Sequence, residues 1–153
     1  MSMDLLESIK DNWQFFKPFT QRLGYIGWLG HGNLGDEAIY LASKRLFNKF
    51  DLLPFKYTKK IDVFEHLISG KAYSGVLLGG GTLINSRQYL DNLKVAQSNS
   101  YPTFIFGSGV RNPEFWQVID EKQNCILDWL GYIKKCFFVG VRGPLSKIIL
   151  SEN

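Results

Sequence analysis

Short apolar runs alternate with amphipathic segments along this chain. The runs are mostly apolar throughout, without polar residues at every second position, which is typical of strands whose two faces are both covered. They span Leu23–Leu29, Leu52–Tyr57, Gly75–Leu78, Pro102–Phe106 and Phe137–Val141. The pattern therefore predicts five buried strands.

Between the runs, apolar residues recur at helical spacing. An N-terminal helix is predicted within residues 1–19, ending at Pro18. Asp36 is the expected cap of the helix that follows the first strand. Further helices are predicted over Ile61–Ile68, over Arg87–Gln97, from the Asn112-Pro113-Glu114 start to Ile133, and from Pro144 onward. This alternation predicts an α/β fold, a doubly wound parallel five-stranded Rossmann-like sheet in a single domain, 1–153.

Composition and charge exclude several classes of protein. The chain has 153 residues, 45% hydrophobic and 21% charged, which fits one globular core and not a disordered chain. The net charge of +4 comes from scattered Lys and Arg residues, whereas a nucleic-acid binder concentrates its basic residues in a patch, so we expect no nucleic-acid partner. No stretch approaches the roughly 20 apolar residues of a transmembrane helix. We expect a cytoplasmic protein in which Cys125 and Cys136 are buried, reduced thiols.

Three glycine-rich segments follow predicted strands. They are Gly30–Gly35, Gly79–Gly81 and Gly107–Gly109. Ligands of parallel α/β folds bind where the strands end, and glycine allows the backbone to approach a ligand closely. The convergence of three such segments predicts a binding site at this edge of the sheet.

The first segment contains the spacing of a dinucleotide-binding fingerprint, but the residues after it argue against a dinucleotide. Gly30, Gly32 and Gly35 match G-x-G-x-x-G. Asp36 and Glu37 follow, at the helix N-terminus where a pyrophosphate would lie, and their carboxylates would repel it. The second strand also ends without an acidic residue to hold a ribose.

The run GHGNLGDEAI, residues 30–39, resembles the signature of the polysaccharide pyruvyl transferase family. Further segments are similar to that family in the same order: Val76–Leu83 with its triple glycine, Phe104–Val110 with Gly-Ser-Gly, and Val141–Ser146 with Arg142 at a strand end. Gly143 stands where the family often has Asp. The resemblance covers residues 24–150.

The resemblance implies a fold and a reaction. Family members resemble two-domain GT-B enzymes, so this chain is expected to be one half, lacking its C-terminal domain, inactive alone and prone to self-association through an exposed apolar face. The implied reaction transfers the enolpyruvyl group of phosphoenolpyruvate, the donor substrate, to hydroxyls of a sugar or polysaccharide precursor in cell-surface polysaccharide biosynthesis. The product is a pyruvate ketal, and no cofactor is expected.

The expected site residues follow from these motifs. Asp36 and Glu37 are the candidate catalytic carboxylates, although Asp36 could serve only as a helix cap. The expected substrate-binding residues are Gly32, Asn33, Gly35, Gly79, Gly80, Gly81, Thr82, Gly107, Gly109 and Arg142.

Several of these residues could instead have purely structural roles. Asn33 could instead brace its own turn, and Arg142 could form a surface ion pair. His31 is expected to be an exposed loop residue and His66 a structural one, whereas Asn85 and Arg87, like Thr82, could line the cleft. The two histidines and two cysteines have unrelated spacings, so no metal site is expected.

Two other functions remain open from sequence. One is a GT-B glycosyltransferase domain that uses a nucleotide-sugar. The other is a non-catalytic Rossmann-like module that binds a small ligand. Both would have the same fold and the same glycine-rich edge.

Overall fold

The computed structural model describes residues 21–55, 73–111 and 125–152. Its strands are β1 (Arg22–Ile26), β2 (Asp51–Pro54), β3 (Gly75–Leu78), β4 (Gly81–Ile84), β5 (Thr103–Val110) and β6 (Phe138–Val141). Its helices are α1 (Leu34–Leu46), α2 (Arg87–Ser98), α3 (Ile126–Ile133) and α4 (Pro144–Glu152). The helices predicted over residues 1–19 and over Ile61–Ile68, and the helix start at Asn112, lie outside the described residues, as does His66.

Every strand pairing in the described sheet is parallel. β1 lies between β2 and β3, and β5 pairs with β3, β4 and β6. β3 and β4 lie along the same partner strand, since Leu78 is opposite Ile105 and Gly81 is opposite Ser108. β4 is therefore a continuation of β3 after a break at Gly79 and Gly80. The predicted parallel α/β sheet is confirmed.

Two hydrophobic clusters form the core, one on each face of the sheet, because successive strand residues point to opposite sides. Leu23, Tyr25, Leu52 and Leu77 form the first, against Tyr40 of α1 and Phe47, the residue after α1. The second cluster takes the neighbouring strand positions, including Ile26, Val76, Leu78 and Ile105, and packs against Leu90 and Leu93 of α2 and Trp129 of α3. Helices thus cover both faces, as the unbroken apolar strands predict.

The structure corrects three strand ends. β2 stops at Pro54 and not at Tyr57. β1 stops at Ile26 and not at Leu29. β5 runs on to Val110, so Gly107 and Gly109 lie inside a strand and not in a loop after it. The pairing of β5 with β6 shifts register between Phe106 and Ser108, and Gly107 has a φ of +74°. A glycine in the left-handed region allows this bulge and lets the strand continue.

The two cysteines are both free thiols. Cys125 is buried, whereas Cys136 is only partly buried, beside Thr103 and Gln97. Burial raises the pKa of each thiol, which keeps both protonated. Of the helices within the described residues, none combines the length and apolar character that crossing a bilayer requires.

Candidate active site

The carboxyl ends of the strands surround a cleft of about 660 Å³. This is the edge at which parallel α/β folds bind ligands. Its lining comes from the loop after β1, the start of α1, β4, the start of α2 and the ends of β5 and β6. The lining residues are Trp28, Asn33, Gly35, Asp36, Ile39, Gly81, Thr82, Leu83, Ser86, Gln88, Tyr89, Arg111 and Arg142.

Asn33, and not Asp36, caps helix α1. The Asn33 side chain accepts a hydrogen bond of 3.0 Å from the backbone N–H of Gly35, and Asn33 itself has extended backbone geometry. The expectation that Asp36 is the cap is therefore wrong, because Asn33 already occupies that position three residues earlier. Asp36 instead lies in the first turn of the helix, where its charge suits the helix dipole.

The two neighbouring carboxylates have different surroundings. Glu37 Oε1 accepts a 2.7 Å hydrogen bond from the backbone N–H of Gly30, which ties Glu37 to the loop after β1. Asp36 lines the cleft, and within the described part of the chain it forms no hydrogen bond or ion pair. Of the two, Asp36 is the carboxylate available to a ligand.

Partial burial shapes the chemistry of Asp36. Desolvation raises the pKa of its carboxyl above the ordinary aspartate value, Arg142 opposes this shift, and the negative charge of Glu37 adds to it. A carboxyl group whose pKa moves toward the working pH is a more effective proton acceptor and donor. The site thus provides a carboxylate suited to general acid–base chemistry.

Arginine side chains supply positive charge to the same cleft. Arg142 follows β6, and its backbone N–H donates to the carbonyl of Ser108 at 2.9 Å. Its guanidinium donates to Thr82 Oγ1 at 3.3 Å. Arg111 follows β5 and also lines the cleft. Guanidinium groups bind phosphate and carboxylate oxygens through paired N–H donors, so this wall can hold an anion with two acidic groups.

Gly143 explains the departure from the family pattern after Arg142. Its φ is +82°, a backbone conformation that glycine adopts without steric cost. No atom lies within 4 Å of where its side chain would start. Glycine here therefore suits the turn from β6 into α4.

Tyr89, in the first turn of α2, adds a hydroxyl to the cleft. Tyr89 is 7% exposed. Desolvation, with the charge of Asp36 adding to it, raises the pKa of Tyr89 to about 12. Its hydroxyl therefore stays protonated at neutral pH and can donate a hydrogen bond to a ligand.

Only part of the predicted site lines the cleft. The predicted residues in the lining are Asn33, Gly35, Asp36, Gly81, Thr82 and Arg142, and those outside it are Gly32, Glu37, Gly79, Gly80, Gly107 and Gly109. Gly79 and Gly80 lie underneath it, against the side chains of Tyr25 and Ile39. Gly109 lies beside Arg142 and Thr82, although it is not itself part of the lining.

Asn85 and Arg87 do not line the cleft, contrary to expectation. Asn85 is buried, accepts from the N–H of Cys125 at 2.8 Å and donates to the carbonyl of Arg111 at 3.2 Å, so it has a structural role. Arg87 pairs with Asp128 at 2.8 Å on the surface. His31 is exposed, as expected.

Sequence reasoning missed several lining residues. They are Trp28, Ile39, Leu83, Ser86, Gln88, Tyr89 and Arg111. Arg111 could have been predicted from its position, because it directly follows the end of β5 at Val110. It was missed because the predicted strand ended at Phe106. Within residues 21–55, 73–111 and 125–152, no group of three or more His, Cys, Asp or Glu residues is placed to hold a metal ion.

Comparison with known proteins identifies the family. A search of curated proteins and one of solved structures gave no significant match. The model of the polysaccharide pyruvyl transferase family matches residues 33–153, from the cap of α1 onward. This match spans most of the chain and includes nearly all of the cleft lining. The chain therefore belongs to the polysaccharide pyruvyl transferase family.

Proposed function

We propose that this protein transfers the enolpyruvyl group of phosphoenolpyruvate to two hydroxyls of a sugar, forming a cyclic pyruvate ketal in cell-surface polysaccharide biosynthesis. The observation that carries the proposal is that one cleft contains both Asp36, a carboxylate with a raised pKa, and the guanidinium of Arg142. The family match supports the class of reaction.

The proposed reaction needs a group that transfers protons and cationic groups that bind the donor, and the cleft contains a candidate for each role. One sugar hydroxyl adds to C2 of phosphoenolpyruvate while C3 gains a proton and becomes a methyl group. The second hydroxyl then displaces phosphate from C2, and its proton leaves with the phosphate. Asp36 can accept the hydroxyl proton and deliver a proton to C3.

The cationic wall would bind the donor. Arg142 and Arg111 would hold the phosphate and carboxylate of phosphoenolpyruvate and stabilise charge as the phosphate departs. Tyr89, which keeps its proton at neutral pH, would donate a hydrogen bond to the donor or the acceptor sugar. No cofactor enters this scheme.

We further propose that the described domain is one half of a GT-B-like enzyme. The second domain would close over the cleft and supply the remaining donor contacts, so the chain alone would be inactive. The exposed aromatic side chains of Phe137, just before β6, and Phe138, its first residue, would favour self-association of the chain alone. Two free thiols fit a reducing compartment, and the cytoplasm is the location we propose.

The proposal is tested by comparing variants of the two adjacent carboxylates. Asp36→Asn should lower kcat about 100-fold or more, the contribution of a positioned general acid–base group. Glu37→Gln is the matched control and should cost far less, because Glu37 holds a loop and does not line the cleft. Phosphate release from phosphoenolpyruvate by the full-length protein, with a sugar acceptor present, measures both. Equal losses in the two variants would refute the assignment.

A further inference from the structure

Trp28 lies in the loop between β1 and α1 and is part of the cleft wall. Trp28 is 36% exposed, which is high for a large aromatic residue that closely follows the buried strand β1. The N–H of Leu29 donates to the carbonyl of Gly27 at 3.2 Å, so the chain turns sharply around Trp28.

His31 stacks on the indole ring of Trp28. The ring centroids are 3.9 Å apart and the planes differ by 22°. The imidazole therefore covers one face of the indole, while Trp28 remains part of the cleft lining. This contact restricts the orientations that the indole can adopt.

Two hydrogen bonds hold the middle and the C-terminal end of the loop that carries this stack. The N–H of Gly30 donates to Glu37 at 2.7 Å, and Asn33 caps α1 through the N–H of Gly35. A side chain held in place by its surroundings loses little freedom on binding, so its contacts contribute more fully to affinity. Trp28 is thus a preorganised aromatic surface.

The chemistry of such a surface matches a sugar ring. One side of a pyranose presents several C–H groups with partial positive charge, and these pack on the negative face of an indole. The hydroxyls at the ring edge need hydrogen-bonding partners, and Asp36, Ser86 and Gln88 line the same cleft. We propose that Trp28 is the platform on which a pyranose ring of the acceptor stacks. This inference rests on the proposed function, because it assigns the acceptor side of the same site.

The test uses binding, so that it does not depend on turnover. The full-length protein is titrated with methyl glucopyranoside, methyl galactopyranoside and methyl mannopyranoside, followed by saturation-transfer NMR. Phosphoenolpyruvate is titrated separately by calorimetry. Trp28→Ala should weaken binding of the preferred pyranoside about tenfold, and Trp28→Phe about threefold, because a smaller aromatic face remains.

Matched controls isolate the platform. Leu127→Ala removes another exposed apolar side chain, on α3 and away from the cleft, and should leave pyranoside binding unchanged. Sorbitol has similar hydroxyls but no ring face, so it should not compete with the pyranoside. The Kd for phosphoenolpyruvate should stay within twofold in Trp28→Ala.

The outcomes separate the two proposals. Pyranoside binding that depends on Trp28, in a protein that does not bind phosphoenolpyruvate, would support the platform and refute the transferase. A Trp28→Ala variant that binds pyranosides as wild type does would overturn the platform, even in an active transferase. The platform is equally overturned if wild type binds none of the pyranosides, or if uridine binds in their place and depends on Trp28.

Discussion

The two glycine-rich turns beside the cleft use glycine for different reasons. In the turn after β1, Gly30 and Gly32 have φ values of +79° and +73°, and no atom lies within 4 Å of a side chain placed on either. In the turn after β3, a methyl group on Gly79 would collide with the ring of Tyr25. One on Gly80 would lie 2.5 Å from Ile39 Cγ2. Gly30 and Gly32 are therefore needed for their backbone conformation, whereas Gly79 and Gly80 are needed for space.

This difference explains how the site is built. The open first turn places Trp28, Asn33 and Asp36 around the cleft. The crowded second turn lets helix α1 lie close to the sheet, with Ile39 against Gly80 and the Asp36 carboxylate 2.6 Å from where a methyl group on Gly81 would lie. The shape of the site therefore depends on the first turn, and the position of its carboxylate against the sheet depends on the second.

The largest expected effect comes from filling the crowded turn. Gly79→Ala should lower the free energy of unfolding by at least about 2 kcal/mol, because the buried Tyr25 ring cannot move without disturbing its cluster. Denaturant titration measures this. Gly131→Ala, in helix α3 with open space around it, is the control and should be neutral or stabilising. Comparable losses in both variants would show that space is not the constraint at Gly79.

A smaller effect is expected in the open turn. Gly30→Ala should destabilise by about 1–2 kcal/mol, the cost of a left-handed conformation for a residue with a side chain, without any steric clash. The variant should keep its fold, and the same denaturant titration measures the change. A loss of unfolding free energy as large as that in Gly79→Ala would mean that the two turns do not differ as described.

Asn33→Ala tests the side chain in the first turn separately from its backbone. Loss of the cap to Gly35 should cost about 1 kcal/mol. Asn33→Ser should recover most of the loss, since serine is also a good cap. Unfolding free energies of the three proteins decide the point. Lack of recovery by serine would indicate that Asn33 has a role beyond capping.

The smallest expected effect is the pH dependence of stability contributed by Asp36. Its pKa is higher in the folded state than in the unfolded state, so between the two values the folded protein binds more protons. Stability should therefore fall slightly as pH rises through this interval. Asp36→Asn should abolish that component, as unfolding measured across the acidic range will show. A contribution of the opposite sign would mean that Arg142 outweighs desolvation.

Much of the fold was predictable, because the strands are short, apolar and covered on both faces. The predicted bounds of β3, Gly75–Leu78, agree with the structure. β5 was cut short in the prediction because glycines argue against a strand, whereas Gly107 permits a bulge that keeps the strand paired. The continuation of β3 as β4 depends on pairing with β5, which local patterns do not encode.

The site was less predictable than the fold. The sequence places Asp36 and Glu37 side by side, and only the hydrogen bond from Gly30 to Glu37 distinguishes a loop anchor from a cleft carboxylate. Asn33 and Asp36 are both good caps by residue type, so choosing between them needs backbone geometry. Trp28 and Tyr89 come from different elements, and only the folded chain brings them to one cleft.

Calorimetric titration of phosphoenolpyruvate into the full-length protein, and into its Arg142→Ala variant, measures whether this cleft binds the anionic donor through Arg142. We expect saturable binding to the wild type, weakened at least tenfold in the variant, because a guanidinium hydrogen-bonded to an anion contributes about 1.5–3 kcal/mol. Absence of phosphoenolpyruvate binding by the wild type, together with binding of a nucleotide-sugar, would contradict the proposed function and favour a glycosyltransferase or a small-ligand-binding module.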